Sequence, residues 1–402
     1  MMPFIKNLRI FSIYILLTFN TQALLFSQFT SNKAIEITGA GIKEMPLWEP
    51  PLNAVFIDPK NVDDPKKDGS VKHPFSSFEE IKWKDNTVYA LKRNTEIIVS
   101  EAIMLSANQI TLASYGSGSR PRIFSTTEKH ALTSKWENAN KITIRDIEIH
   151  APKAESGIII RTGSKDASII NCVIHGPRWG IRVLNDIDKV FIHNTEIFHI
   201  KEDGIFMKQT SNIEISNCYI HHVNQFWQSP STAESDAPGD GIQLYLCNRW
   251  HIHHNFIDRS DSGNKFCIIS NNPEQENGLI EYNYLIGPIK EGFAIYLGDG
   301  KNHIVRYNII YGDCKSPFWS HASDLQIYYN IFAYFQGPLF VSKNADIFNN
   351  LFYQTTAGIE GGRINAFNNI FELQNVKCTV FKVSQLNESN NLYTRGLPTK
   401  AS

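Results

Sequence analysis

The chain has 402 residues, and 39 Lys and Arg against 40 Asp and Glu leave a formal net charge of −1. So near-neutral a balance argues against a nucleic-acid partner and against an anionic membrane surface. The length admits two average domains or one long repeat array.

The N-terminus reads as an export signal. Lys6 and Arg9 precede the apolar run IFSIYILLTF, and small residues near Ala23 or Ser27 suit cleavage. Residues 1–27 are therefore expected to be a signal peptide, giving a secreted, periplasmic or cell-surface protein with no membrane contact after cleavage. An uncleaved anchor is the alternative. No Cys follows the run closely, so a lipoprotein is not expected, and no other stretch is long enough to cross a bilayer. Residues 28–52 are mixed and carry prolines, which reads as an irregular leader. Residues 53–123 read as a capping segment with the first coils. They offer a strand, a polar Asp/Gly loop, a helix led by Pro74-Phe75, and then ITLASYGSGSRPRI as a strand with a Gly-rich turn. An open coil end exposes apolar stacks and unpaired edges, so a cap is needed.

From about Lys141 to Tyr393 the chain repeats. Each copy reads as two short strands, one of the Gly-Ile kind (GIII, GIRV, GIFM, GIQL) and one of the kind I-x-I-x-N-x-x-I. The Asn positions begin at Asn171, Asn194, Asn217 and Asn255 and continue to Asn391, 19–28 residues apart except for one step of 38. Short strands at a fixed period mean a solenoid, here placed at residues 124–395. Four to six alternating residues cannot bury their own apolar face, so the coils must stack. One inward column is read as Ile158, Ile181, Ile205, Ile242, Phe266 and Phe293. The next is Ile160, Val183, Met207, Leu244, Ile268 and Ile295. The Asn column is read as stacked amides that satisfy buried backbone, with a one-residue slip allowed at Asn255, where His254 can take the slot. The six cysteines show no CxxC. Cys172 and Cys218 sit at one slot two coils apart, too far for a disulfide, so most read as small core residues.

This coil pattern resembles the right-handed parallel β-helix proteins, the broad group that includes pectate-type polysaccharide lyases and polygalacturonases. The resemblance implies an all-β, right-handed parallel β-helix. It is specific for fold and much less so for activity.

The step of 38 places an insertion of about 15 residues at 225–239, carrying Phe226, Trp227, Glu234 and Asp236. Insertions in a solenoid become loops on one face. Beside it, the position before Gly-Ile reads Ser156, Trp179, Asp203, Asp240, Asn264 and Glu291. Asp203 and Asp240 are thus expected one coil apart, suited to share a proton, hold a hard cation or act as acid and base, although Asp-Gly is also ordinary turn chemistry. Lys265 is read in the slot held elsewhere by Gly204 and Gly241. Outward tracks are read as Arg161, Leu184, Lys208, Tyr245, Ile269, Tyr296 and as Arg182, Phe206, Gln243, Cys267, Ala294. The expected groove joins Asp203, Lys208, Asp240, Gln243, Tyr245 and Lys265 as its chemical set. Arg182, Phe226, Trp227, Glu291 and Tyr296 are its substrate contacts. His251 and His253 share a strand face but lack a third metal ligand at readable spacing. His199, His221 and His222 are second-line base candidates.

The tandem EDGI and GDGI strands resemble polygalacturonase active-site strands, although that family's tandem Asp-Asp, His-Gly and Arg-x-Lys strands are missing. They also resemble calcium-dependent pectate-type lyases, which implies calcium on Asp203 and Asp240 and Lys265 as base. Three functions follow. The first is a lyase cleaving uronate polysaccharide by β-elimination, with Lys265, Tyr245 or Lys208 taking the proton. An inverting hydrolase and a non-catalytic adhesive β-helix are the alternatives. A polysaccharide partner and a monomer are expected.

Overall fold

The computed structural model describes residues 31–135, 140–162, 164–223, 239–260, 265–271, 275–288 and 292–395. The strands pair in parallel, each with its equivalent one coil on. Ile181 lies beside Ile205, Ile205 beside Ile242, Ile242 beside Ile268, and Ile268 beside Ile295. The result is a parallel β-helix, with the inward side chains of successive coils packed into one continuous core.

Each coil has three strands rather than the two read from the sequence. One coil runs Trp179–Ile187 on face 1, Lys189–His193 on face 2 and Glu196–Ile200 on face 3. The apparent I-x-I-x-N-x-x-I strand is broken at a residue with left-handed backbone, φ 55° at Asn171, 52° at Asn194 and 54° at Asn217. Asn tolerates this region better than most side chains, so it turns the chain from face 2 to face 3. Strands such as Ile205–Ser216 and Leu339–Phe348 run through the gentler corner between faces 1 and 2 and join them into one 22-stranded sheet. Face 3 is a separate 13-stranded sheet. Parallel pairing already exists at Val55–Ile57, so the coil extends through residues 53–123.

The Asn column is two columns. Asp146, Asn171, Asn194 and Asn217 are themselves left-handed. From the next coil on, His254, Tyr282, Tyr307, Tyr329, Asn349, Asn368 and Asn390 take that conformation, and the Asn follows one residue later. These later Asn residues point inward. Asn308 Nδ2 donates to Asn330 Oδ1 (2.9 Å), Ile280 O (2.9 Å) and Arg306 O (2.9 Å). Its Oδ1 accepts from Asn283 N and Nδ2, both at 3.0 Å. In the upper coils Cys172, Thr195 and Cys218 fill the inward slot, and all three are buried. All six cysteines are free.

The outward Asn residues of the upper coils have a different partner. Ser31–Thr38 is a helix where an irregular leader was expected, and an extended strap follows it. Ala34 and Ala40 pack on Phe256, Tyr284 and Ile309 of face 3, and this burial is what makes the helix worth forming. Along the strap, Gly41 N donates to His254 O (2.7 Å) and Lys43 N to Asn194 Oδ1 (2.6 Å). Asn194 Nδ2 donates to Lys43 O (3.0 Å), and Asn217 Nδ2 to Gly41 O (3.3 Å). Of the helix expected after Pro74, one 3-10 turn forms, Phe78–Glu80. It ends there because Ile81 turns extended and enters the core. Among the described residues no helix is long and apolar enough to cross a membrane.

Asn308→Ala removes five hydrogen bonds and leaves buried backbone carbonyls unpaired. It should cost about 2–3 kcal/mol of unfolding free energy in urea titration. A loss below about 0.5 kcal/mol, the range of surface substitutions, would show that the ladder does not hold the coil.

Candidate functional site on face 1

The observed register corrects the expected columns below Ile242. Its neighbour in the core column is Ile268, then Ile295 and Phe318. Phe266 and Phe293 therefore leave the core column and pair with each other in the column that Trp179, Asp203 and Asp240 occupy above. Cys267, not Lys265, follows Gly204 and Gly241. A Cβ on Gly241 would lie 2.6 Å from Cys267 O. Lys265 sits two residues earlier, at a turn with φ 109°. Tyr296 pairs with Ile269 on the Gln243 track, and the partner of Tyr245 is Asn271. The error arises because Cys267 and Ala294 replace the glycine that marks the strand in the coils above.

Asp203 and Asp240 do share one column, but inside the wall rather than on it. They are 1% and 3% exposed. Asp203 Oδ1 accepts the Asp240 backbone N–H (2.9 Å), and Asp240 Oδ1 accepts that of Phe266 (3.1 Å). Each carboxylate thus ties its coil to the next. Burial raises both pKa values, that of Asp203 further because Asp240 is a like charge beside it. The buried guanidinium of Arg259, 0% exposed, opposes this for both. Two buried carboxylates, each with an oxygen committed to an N–H and a cation already close by, do not fit the six to eight oxygens that calcium takes. Among the described residues no group of three or more His, Cys, Asp and Glu is placed to hold a metal ion.

The outward surface of face 1 divides into two halves. The upper half is charged. Arg182 Nη1 lies 2.8 Å from Glu155 Oε1, and Arg178 Nη2 lies 2.5 Å from Glu202 Oε1. Both guanidiniums pack 4.2 Å from the Trp179 ring centre, and Arg161 Nη2 lies 2.7 Å from His130 Nε2. Glu202 is buried, with Oε2 unpartnered among the described residues, and burial raises its pKa against the pull of Arg178. Below this cluster Lys208 Nζ lies 5.5 Å from the Tyr245 ring centre, and Gln243 stands on the adjacent track. The lower half is aromatic. Phe293 and Trp319 rings are 5.2 Å apart, and Trp319 stacks on Phe340 at 4.0 Å. Trp319 Nε1 donates to His321 Nε2 (3.3 Å).

Lys208, Gln243, Tyr245, Arg182 and Tyr296 are thus brought to one face, half-buried. Glu155, Arg178, Glu202, Trp319, His321 and Phe340 were missed. The signal for the first three was present, because each stands one residue before the column of Ser156, Trp179 and Asp203. Phe226, Trp227, Glu234, Asp236, Asn264 and Glu291 lie outside the described residues. His221 belongs to a ring column on face 3, stacked on Phe198 at 5.2 Å, and not to the groove. His251 and His253 lie on face 2, each bound to a carboxylate, Glu281 at 2.9 Å and Glu214 at 3.3 Å.

Stacked parallel coils of three short strands with an inward amide ladder define a β-solenoid protein. Residues 133–263 and 234–375 match the family described as right handed beta helix region, and the chain belongs to that family. No curated protein sequence matches it. Among solved structures it is similar to the Dettilon tailspike protein (14% identity, TM-score 0.51, 77% of this chain and 64% of that one). It is also similar to the catalytic unit of a thermostable GH87 α-1,3-glucanase from Streptomyces thermodiastaticus strain HF3-3 (11%, 0.50, 89% and 72%). A third similarity is to the GH136 lacto-N-biosidase from Eubacterium ramulus (12%, 0.48, 84% and 67%). The chain spans about two thirds of the first and third of these. At such identities the likeness is one of fold.

The buried acids give a pH signature. Their folded pKa values lie above the unfolded carboxyl value of about 3.9, so between the two the folded chain holds protons that the unfolded chain has lost. The stability they contribute is full below about pH 4 and is lost as pH rises through the folded values, about 6 for Asp240. Asp240→Asn keeps the acceptor for Phe266 N–H and removes one titration. Its melting temperature should fall less than the parent's between pH 4.5 and 7.5. Parallel pH profiles would contradict the burial account.

Proposed function

We propose that the protein is an exported carbohydrate-active enzyme that binds an acidic polysaccharide along face 1 and cleaves it by β-elimination. The observation that carries this is the pairing of Lys208 with Tyr245 between two unlike halves of one face. Arg161 and Arg182 lie above it, and the aromatic edges of Tyr296, Trp319 and Phe340 lie below. A uronate carboxylate set against the cations is neutralised, which acidifies the proton on the adjacent C5. Tyr245 as phenolate or Lys208 as free amine takes that proton, the C4–O bond breaks as the C4–C5 double bond forms, and the departing glycosidic oxygen takes a proton from the same group or from water. The aromatic edges offer apolar contact to sugar C–H faces further along the chain. No step is assigned to Asp203, Asp240 or Lys265. The apolar run at residues 10–19, outside the described residues, supports export.

A second reading is hydrolysis, favoured by Glu202. A buried carboxyl with a raised pKa and a free oxygen is suited to donate a proton, and Glu155 stands two coils away on the same face as a base.

Incubation with a panel of uronate polysaccharides separates these readings. Elimination yields products with the ultraviolet absorbance of an unsaturated uronate, whereas hydrolysis yields reducing ends without it. Tyr245→Phe and Lys208→Ala should each leave the fold intact, and loss of the proton acceptor should lower turnover about 10²–10⁴-fold. Full turnover in both variants with loss in Glu202→Gln would move the reaction to the hydrolytic pair. Saturable binding with no product would leave a carbohydrate-binding protein.

A further inference from the structure

At the corner between faces 2 and 3, away from face 1, the strap borders an open cavity of about 430 Å³. Its polar lining comes from Lys43 and Glu44 of the strap and from Arg93, Arg120, Asp146 and Asn171 of four successive coil turns. That volume falls within the range of roughly 300–1,000 Å³ usual for small-molecule sites.

The charges there do not balance. Arg93 has a side chain only 8% exposed. Its Nη1 donates to Gly118 O (3.2 Å), its Nη2 lies 3.7 Å from Asp146 Oδ1, and among the described residues its Nε has no partner. Asp146 is already held by Arg145, Nε to Oδ2 at 2.7 Å, and by the amide of Asn171. Arg120 spends two donors on neutral groups, the carbonyl and the side-chain oxygen of Asn171. Two guanidiniums therefore share one carboxylate, and Arg120 is bonded only to the neutral Asn171 among the described residues. Among the described residues Glu44 is the only other acid lining the cavity, Lys43 offsets it, and Glu49 attracts Arg93. A buried guanidinium with an unused donor is costly unless an anion meets it, and its planar donors match the oxygens of a carboxylate or sulfate.

We propose that this cavity is a binding site for an oxyanion of the carboxylate or sulfate kind, held by Arg93 and Arg120 under the strap. The volume admits a free ion or the same group carried on one sugar ring. The site is independent of the activity proposed for face 1.

The full chain, without polysaccharide, would be titrated with sulfate against chloride at matched ionic strength, and with glucuronate against glucose. Heat of binding and melting temperature would be read. Sulfate and glucuronate should bind saturably and raise the melting temperature, with chloride and glucose inert. Glucuronate well tighter than sulfate assigns a sugar-borne group, and equal affinities assign the oxyanion alone. Arg120→Gln should weaken binding at least tenfold while melting like the parent in chloride. If that variant does not fold, Lys43→Gln, on the strap, should still weaken binding severalfold. No saturable response in the folded parent beyond that of chloride overturns the proposal, as does undiminished affinity in both variants.

Discussion

The structure depends on one constraint, which is that parallel coils stack in register about 4.8 Å apart. Every side chain then has its structural equivalent directly above and below. Whatever occupies a slot must be compatible with a copy of its own kind. An amide satisfies this well, since its NH2 donates to the next oxygen while its oxygen accepts from the previous amide. The run from Asn255 to Asn391 does so coil after coil, and each member also reaches a backbone carbonyl of the corner. Branched aliphatics satisfy it too, as Ile181, Ile205, Ile242, Ile268 and Ile295 show in the core. Aromatics stack, as Tyr328, Phe348 and Phe367 do at 4.6 and 4.8 Å.

Charges do not satisfy it, and the exceptions are where the fold needs compensation. Asp203 and Asp240 are like charges in adjacent buried slots. They persist because each accepts an N–H from the coil below and because Arg259 is buried beside them. On face 1 the sign alternates instead. Glu155, Arg178 and Glu202 succeed one another at the turn into the strand, and Arg182 reaches back to Glu155. That alternation lets the column carry several charges without repulsion. Arg178 and Arg182 both rest on the Trp179 ring, which adds a cation–π contact to each.

How much of this was legible in the sequence follows from the same constraint. Slots filled by one residue type repeat visibly, so the coil, the amides and the Gly-Ile strands could all be read. Slots whose occupants change type could not. When Cys267 and Ala294 took the glycine slot, Phe266 looked like a core residue, and the lower tracks were read two residues out of phase. The slip from Asn217 to Asn255 was visible only as a question, because both slots accept Asn. What decides between them is the strap, which bonds the outward amides of Asn194 and Asn217, and no local pattern reveals a partner some 150 residues away. The acids misled for a related reason. A tandem Asp-Gly-Ile reads as a shared wall of a groove, whereas burial depends on the neighbouring Arg259, which follows the face 3 strand Phe256–Asp258.

The glycine column also bears on the groove. A Cβ on Gly180 or Gly204 would meet the next coil's carbonyl oxygen at 2.4 or 2.7 Å, so these coils are drawn together as no other residue permits. The column is interrupted after Gly241. Cys267 and Ala294 fill the slot in the next two coils, and from the same coil Phe266 and Phe293 stand in the column of Asp203 and Asp240 while Tyr296 and Trp319 follow on the Arg182 track. The change in internal packing and the change in surface chemistry thus fall at one level of the helix. A polymer lying along the axis would meet charged groups on one side of that level and aromatic edges on the other. The Lys208 and Tyr245 pair stands between them, where a chain held by both halves would have its bonds presented.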